Sequence, residues 1–165
     1  MKTYQNLVNA CLKDIAEIMP WDLQAQLEKG ESLLILDIRE PYEFQASHIQ
    51  GSLNVPRGIL EPACEYGYED TVAELAAARD KDIVIVCRSG NRSVLAAYTL
   101  QLMGYQSVKS LKTGLKGWND YEQPLQDIYG QIVDGDVTET LLKPPLRPEQ
   151  LPPKHGLLYV NPTEK

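Results

Sequence analysis

Cysteine and histidine are scarce in this chain. Its 165 residues include three cysteines (Cys11, Cys64 and Cys87) and two histidines (His48 and His155), all widely spaced. No CxxC pair is present, so the pattern argues against a zinc site, and the odd number of cysteines argues against a disulfide framework. The sequence therefore indicates free thiols and a reducing compartment.

Long apolar segments are also missing. The first twenty residues contain Asp14 and Glu17 where a signal peptide needs an uninterrupted apolar stretch. No segment reaches the roughly 20 apolar residues that span a bilayer. We therefore expect a cytoplasmic protein with no membrane association.

Positive charge is in deficit. The chain has 16 Lys and Arg residues against 23 Asp and Glu residues, which gives a formal net charge of -7. Such a chain repels nucleic-acid phosphates and has no long basic cluster to offset the repulsion, so we expect no nucleic-acid partner. With 43% hydrophobic and 24% charged residues, its composition is typical of one compact domain with appended material.

The central part of the chain alternates between apolar strands and short helical patterns. Residues 33–37 (LLILD) and 82–87 (DIVIVC) are predicted as buried strands, 107–111 (SVKSL) as a further strand, and 51–56 (GSLNVP) contains a short one. The segments between them have helical spacing or helix-opening prolines, except that 58–71 predicts a surface loop. This alternation indicates an α/β fold around a parallel sheet.

Both ends of the chain differ from this central domain, which we place at 18–125. Residues 1–17 have apolar side chains at helical spacing and predict an amphipathic N-terminal helix. Six of the eleven prolines lie between Pro144 and Pro162, so 126–165 is predicted as a Pro-rich C-terminal extension. We expect this extension to pack on the domain or on a dimer partner, with its LLYV segment docking as a strand.

The main chemical signal is the stretch IVIVCRSGNRS, residues 83–93. A β-branched strand ends at Cys87, and a turn with Gly90 leads into a helix, so unpaired backbone N–H groups and the positive helix end converge near the thiol. Arg88 and Arg92 add permanent positive charge. A thiol in such surroundings loses its proton readily and becomes a nucleophile, whereas a packing role needs neither arginine. The polar residues that support the turn are Asn91 and Ser93.

Three motifs, in the right order, resemble the rhodanese superfamily. CRSGNRS (87–93) resembles the active-site loop of that family, residues 33–61 its upstream motif, and GLKGW (114–118) its closing motif. The resemblance covers roughly residues 15–125. It implies a rhodanese-like three-layer sandwich, a parallel five-stranded sheet with helices on both faces, and a cysteine that becomes a persulfide. One departure is KTG at 112–114, where a Gly-Gly pair is usual, and it concerns only local turn geometry.

The resemblance also implies roles for individual residues. Cys87 matches the sulfur-accepting nucleophile, and Asp37 and Arg39 match a supporting D-x-R pair on the active-site side of the sheet. His48 belongs to a mostly structural motif, so we interpret it as a scaffold histidine and not as a general base. The residues that match the substrate-binding loop around the persulfide are Arg88, Ser89, Gly90, Asn91, Arg92 and Ser93.

The implied reaction is a two-step transfer of sulfane sulfur. The Cys87 thiolate attacks the outer sulfur of a small anionic donor, thiosulfate or polysulfide, and the persulfide then passes its sulfur to cyanide, a thiol or a protein acceptor. Arg88 and Arg92 would hold the sulfonate end of thiosulfate. The resemblance implies no metal and no organic cofactor.

Two other functions stay open at this point. Some phosphatases share this fold and a Cys–Arg loop, but their signature places five residues between the two, whereas four separate Cys87 from Arg92. The shorter loop suits a sulfur atom better than a tetrahedral phosphate. The second alternative is a persulfide carrier or regulatory module without turnover.

Two peripheral hypotheses concern the segment 58–71. It follows a strand whose end should lie near the active site, so Tyr66 and Tyr68 are candidates for the rim. Cys64 is either an ordinary thiol, which we favour, or the group that resolves the Cys87 persulfide as a disulfide.

Overall fold

A computed structural model describes residues 1–152 of the chain. Five parallel strands form one sheet in the order β1-β5-β4-β2-β3. The predicted α/β fold with a parallel five-stranded sheet is thus confirmed. The strands are β1 (Ala16–Ile18), β2 (Leu33–Asp37), β3 (Leu53–Asn54), β4 (Asp82–Val86) and β5 (Ser107–Leu111).

Helices connect and cover these strands. Proline opens α2 and α3 at the first helical position, where its missing N–H has no intrahelical partner to lose. None of the described helices has the length and apolar character needed to cross a membrane. The α-helices are α1 (Tyr4–Cys11), α2 (Pro20–Glu28), α3 (Pro41–Ala46), α4 (Leu60–Ala63), α5 (Ala73–Ala76), α6 (Asn91–Leu102), α7 (Gly114–Asp120) and α8 (Gly135–Leu142), with short 3-10 turns at Arg57–Ile59 and Pro148–Gln150.

Both faces of the sheet are buried, which gives the predicted three layers. On one face, Leu36 and Ile85 share a hydrophobic cluster with residues of α1, α4, α5 and α6. On the other face, Ile35 and Val84 share a cluster with residues of α2, α7 and α8. Because successive strand residues point to opposite faces, a strand covered on both sides is apolar along its length, as β2 and β4 are apart from Asp37 and Asp82 at their ends.

The prediction of one helix over 1–17 is wrong in its second half. The helix ends at Cys11, and Ala16–Ile18 pairs with β5 as an edge strand of the sheet. Ile15 and Ile18 are both buried, and their spacing of three fits a helix as well as it fits a turn followed by a strand. The strand forms because its backbone hydrogen-bonds to β5. With only three residues, its sequence pattern is too short to predict it.

The segment 58–71 is more ordered than the predicted surface loop. Leu60–Ala63 forms α4, and Leu60, Ala63 and Cys64 are fully buried. Pro62 lies in the first turn of this short helix, where proline is tolerated. Pro62 and the acidic residues around it make the segment look like a loop, although three of its apolar residues are buried in the core.

Beyond residue 125 the chain packs along the second face of the sheet. Leu142 of α8 is buried in the same cluster as Trp118 of α7. The side chain of Asp134 caps α8 by accepting hydrogen bonds from backbone N–H groups in its first turn. Part of the predicted Pro-rich extension is therefore helical, and its LLYV segment (157–160) lies outside the described residues.

We predict that Thr113→Gly stabilises the protein. Thr113 precedes α7 with a φ of 65°, a left-handed conformation that is costly for a β-branched residue. Glycine adopts it freely, so the free energy of unfolding in urea should rise by about 1 kcal/mol. As a control, Thr140→Gly, at an exposed position of α8, should lower the free energy of unfolding by about 0.5 kcal/mol. A Thr113→Gly protein that unfolds more easily than the wild type would contradict this account.

Candidate active site

Cys87 lies directly after β4, at the carboxyl edge of the sheet, and α6 begins at Asn91. Its side chain is fully buried. The backbone N–H of Gly90 donates a hydrogen bond to the Cys87 sulfur at 3.1 Å, and the N–H of Ser93 donates another at 3.4 Å. Two main-chain dipoles therefore point at the sulfur and favour negative charge on it.

The turn depends on Gly90, which has a φ of 91°. A Cβ atom at this position would lie 3.1 Å from both the carbonyl oxygen of Leu111 and the nitrogen of Thr113. Glycine is therefore needed for the left-handed backbone and for the close approach to the connection between β5 and α7.

The start of α7 holds the cysteine loop from the other side. The N–H groups of Leu115 and Lys116 donate hydrogen bonds to the carbonyl oxygens of Cys87 (2.9 Å) and Arg88 (3.1 Å). A Cβ on Gly114 would lie only 2.5 Å from that Cys87 oxygen. Helix α7 thus fixes the Cys87 backbone by direct contact.

Two buried serines brace the same turn. The Ser93 hydroxyl lies 2.9 Å from the Gly90 carbonyl oxygen and 2.7 Å from the hydroxyl of Ser110 on β5. The Cys87 sulfur is 3.4 Å from the Ser93 hydroxyl. Ser110 was not singled out in the sequence, although a polar residue at a buried position of a core strand is a usable signal.

The guanidinium of Arg92 is bound by a carboxylate of the protein. Its two terminal nitrogens donate hydrogen bonds to the two carboxylate oxygens of Glu43 on α3, each at 3.0 Å. Burial raises the pKa of Glu43, but the hydrogen bonds and charge of Arg92 outweigh burial and bring this pKa below its ordinary value. Burial likewise lowers the pKa of Arg92, and Glu43 more than compensates. The two side chains form a bidentate ion pair.

An open cavity of about 470 Å³ forms the mouth of the loop. The sequence gave no indication of the contribution from α1, which packs against α6 and brings Tyr4 to this cavity. Burial raises the pKa of Tyr4, and the charge of Cys87 adds to this rise while Arg92 and Arg88 oppose it. The residues lining the mouth are Tyr4, Glu40, Tyr42, Glu43, Arg88, Ser89 and Arg92.

Asp37 and Arg39 form a buried ion pair beside the site and do not line the mouth. Their charged atoms lie 2.8 Å apart, and Arg39 also donates to the carbonyl oxygen of Ser47 at the end of α3. The Asn54 side chain donates to the carbonyl oxygens of both Asp37 and Arg39. This network ties β2 and β3 to α3, the helix that carries Glu43.

Tyr66 and Tyr68 do not form the rim. Both are exposed, and Tyr68 lines a separate depression together with Met103, which follows the last residue of α6. The Cys87 loop lies at the opposite end of this 12-residue helix. A helix of that length spans about 18 Å, so the two tyrosines belong to the far end of the domain.

Cys64 and His48 are also placed away from the mouth. Cys64 is buried beside Tyr105, and burial raises the pKa of its thiol, which favours the ordinary protonated form. His48 stacks on Phe44, and its Nδ1 lies 2.8 Å from the Phe44 carbonyl oxygen, as a scaffold residue would. Among the described residues, no group of three or more His, Cys, Asp or Glu side chains could hold a metal ion.

Comparison with known proteins identifies relatives over the central domain. The model of the rhodanese-like domain family matches residues 19–121. "Putative sulfur carrier protein YrkF" of Bacillus subtilis (strain 168) is 32% identical over 104 residues, which cover 63% of this chain and 51% of that protein. "Putative thiosulfate sulfurtransferase, mitochondrial" of Schizosaccharomyces pombe is 30% identical over 103 residues, 61% of this chain and 72% of that protein.

A solved structure is similar over a larger part of the chain than these two relatives. It is a protein of unknown function and possible tyrosine phosphatase from Rhodopseudomonas palustris CGA009, which aligns with a TM-score of 0.71 and 29% identity. The alignment covers 76% of this chain and 96% of that one. The chain spans only about half, or a quarter, of the length of the first curated relatives that it matches.

We predict that Gly114→Ala disrupts the cysteine loop. The added methyl group would collide with the Cys87 carbonyl oxygen, and glycine also provides the φ of 60° at this position. The free energy of unfolding should fall by about 2 kcal/mol or more. Gly58→Ala is the matched control, because a Cβ there meets nothing within 4 Å. Equal stability of the two variants in urea would show that the loop does not rest on α7 as described.

Proposed function

This chain belongs to the rhodanese-like domain family, and from that membership we propose that it transfers sulfane sulfur through a persulfide on Cys87. The observation that carries the proposal is the Cys87 sulfur, which accepts hydrogen bonds from two backbone N–H groups at the start of α6. Thiolate is the reactive form of cysteine, and such donors stabilise it. Relatives named as a sulfur carrier and as a thiosulfate sulfurtransferase support the same chemistry.

The first half-reaction loads the enzyme. The Cys87 thiolate attacks the outer sulfur of thiosulfate or of a polysulfide, a new S–S bond forms, and the bond to the donor breaks. The departing sulfite or shortened polysulfide takes the electron pair with it. The N–H groups of Gly90 and Ser93 then stabilise the negative persulfide, while Arg88 attracts the anionic donor to the mouth.

The second half-reaction returns the thiolate. A thiophilic acceptor, such as cyanide, a small thiol or a protein thiol, attacks the outer sulfur of the persulfide. The S–S bond breaks, and Cys87 keeps the electron pair. Because the Cys87 sulfur is fully buried, the added sulfur, which extends the group by roughly 2 Å, is the atom offered to the acceptor.

A phosphatase is the second candidate, since one structural relative is described as a possible tyrosine phosphatase. Two observations argue against this activity here. Only four residues separate Cys87 from Arg92, and the guanidinium of Arg92 is already hydrogen-bonded to Glu43. A carrier without turnover is the third candidate, and it uses the same persulfide.

We predict that Cys87→Ser abolishes sulfur loading. After treatment with thiosulfate or polysulfide, the wild-type protein should gain the mass of one sulfur atom and release thiocyanate when cyanide is added. The matched control is Cys64→Ser, which removes a buried thiol away from the mouth and should load normally. Loading without thiocyanate release would indicate a carrier, and phosphate release from an aryl phosphate would favour the phosphatase.

We predict that Arg88→Gln weakens the reaction with anionic donors. Arg88 has no ion-pair partner among residues 1–152, so its charge is available to the donor. The kcat/KM for thiosulfate should fall by roughly tenfold, as expected for one charge-assisted hydrogen bond. Arg57→Gln, which alters an arginine paired with Glu61 outside the mouth, is the control. Equal kcat/KM values for the two variants would remove Arg88 from the donor site.

A further inference from the structure

The ion pair between Arg92 and Glu43 limits what the mouth can bind. Both carboxylate oxygens accept hydrogen bonds from the guanidinium, so a competing anion must replace two bonds at once. The Glu43 side chain is only 14% exposed, which leaves little water to weaken the pair. Arg92 is therefore held by the protein itself.

Glu43 cannot easily turn away from this position. One of its carboxylate oxygens also accepts a hydrogen bond from the backbone N–H of Glu40, at 3.0 Å, in the capping box of α3. The carbonyl oxygen of Ser47, just after α3, is in turn bound by buried Arg39. Glu43 is thus fixed by its own helix as well as by Arg92.

The charges around the mouth balance. Arg88 and Arg92 contribute two positive charges to its lining, and Glu40 and Glu43 contribute two negative ones. The whole chain carries a formal net charge of -7. Because Arg92 and Glu43 neutralise each other, a dianion approaching this mouth meets the guanidinium of Arg88 and the carboxylate of Glu40, whereas a donor with at most one negative charge needs only Arg88.

On the basis of the proposed sulfurtransferase function, we propose that Glu43 is a specificity residue that withholds Arg92 from the substrate, so that the preferred donor is the persulfide of an organic thiol rather than thiosulfate. In this reaction the Cys87 thiolate attacks the terminal sulfur of R–S–SH. A bond forms between the Cys87 sulfur and the terminal sulfur, the S–S bond of the donor breaks, and R–S⁻ leaves with the electron pair. The proton stays on the transferred sulfur, so no other reactant is required.

The test compares two donors on the full chain. The persulfide of 2-mercaptoethanol, whose carrier group is uncharged, and thiosulfate are each used to load Cys87, and the second-order loading rates are measured by intact mass. The wild-type protein should load faster from the persulfide. In Glu43→Gln, the freed guanidinium should raise the thiosulfate rate by about tenfold, while the persulfide rate changes by less than about twofold.

Two single variants control for charge and for general effects of the substitution. Glu40→Gln removes one carboxylate from the same mouth but leaves the pair between Glu43 and Arg92, so its effect on the thiosulfate rate should be much smaller. Glu61→Gln breaks a pair of the same type, with Arg57 at 3.0 Å, outside the mouth, and should behave as the wild type.

A double variant tests whether Glu43 acts through Arg92. In Glu43→Gln/Arg92→Gln, no guanidinium is released, so the gain with thiosulfate should disappear.

Inhibition of the wild-type protein by sulfate provides a test that does not depend on how well the variants fold. Inorganic sulfate, a dianion, should not slow loading from the persulfide at concentrations near 1 mM, roughly the weak end of specific binding.

Several results would overturn the inference while leaving the proposed function intact. The wild-type protein could load faster from thiosulfate than from the persulfide, or Glu43→Gln could leave the ratio of the thiosulfate rate to the persulfide rate unchanged or lower it. Glu40→Gln could raise the thiosulfate rate as much as Glu43→Gln does. Sulfate could inhibit loading from the persulfide well below about 1 mM. Failure to load Cys87 from either donor would instead refute the proposed function itself.

Discussion

The hydrogen bonds from the Gly90 and Ser93 backbone to the Cys87 sulfur are the interaction on which the site depends. They exist because β4 ends at a cysteine, Gly90 turns the chain through a left-handed conformation, and α6 starts immediately afterwards. The remaining structure holds this turn in place. Strand β4 is buried on both faces of the sheet, and the first N–H groups of α7 bind the carbonyl oxygens of Cys87 and Arg88. In the proposed reaction, a nucleophile placed on such a framework loses little order.

Around this fixed sulfur, less positive charge is available than the two arginines of the loop sequence would provide. Two arginines follow the cysteine in the loop, but one of them, Arg92, is neutralised by Glu43 within the same mouth. In the proposed function, the main-chain N–H groups stabilise the Cys87 sulfur itself, and Arg88 attracts the charged part of the sulfur donor. Under this proposal, the separation allows the loop to stabilise a persulfide without creating a general anion site. The proposal also accounts for a chemistry that differs from that of the wider phosphate loop.

The sequence predicts the parts of this structure that are local or repeated. Strands β2 and β4 are largely apolar because both faces are covered, and the turn after Cys87 follows from Gly90 and the helix start. What the sequence does not reveal comes from distant segments. Glu43 and Arg92 are 49 residues apart, and Ser110 of strand β5 reaches Ser93 of helix α6. Tyr4 reaches the mouth only because α1 packs on α6, outside the part matched by the family model. The edge strand β1 is too short for its pattern to be read.

The central claim is that one sulfur atom, that of Cys87, accepts and holds the transferred sulfur. The direct measurement is to load the wild-type protein with a persulfide donor, digest it with trypsin without reduction, and locate the added sulfur by mass spectrometry. Cleavage after Lys81 and Arg88 yields the peptide DIVIVCR (82–88), in which Cys87 is the sole cysteine. The account predicts one extra sulfur on this peptide and none on those containing Cys11 or Cys64. Sulfur on either of the other cysteines, with residues 82–88 unmodified, would contradict it.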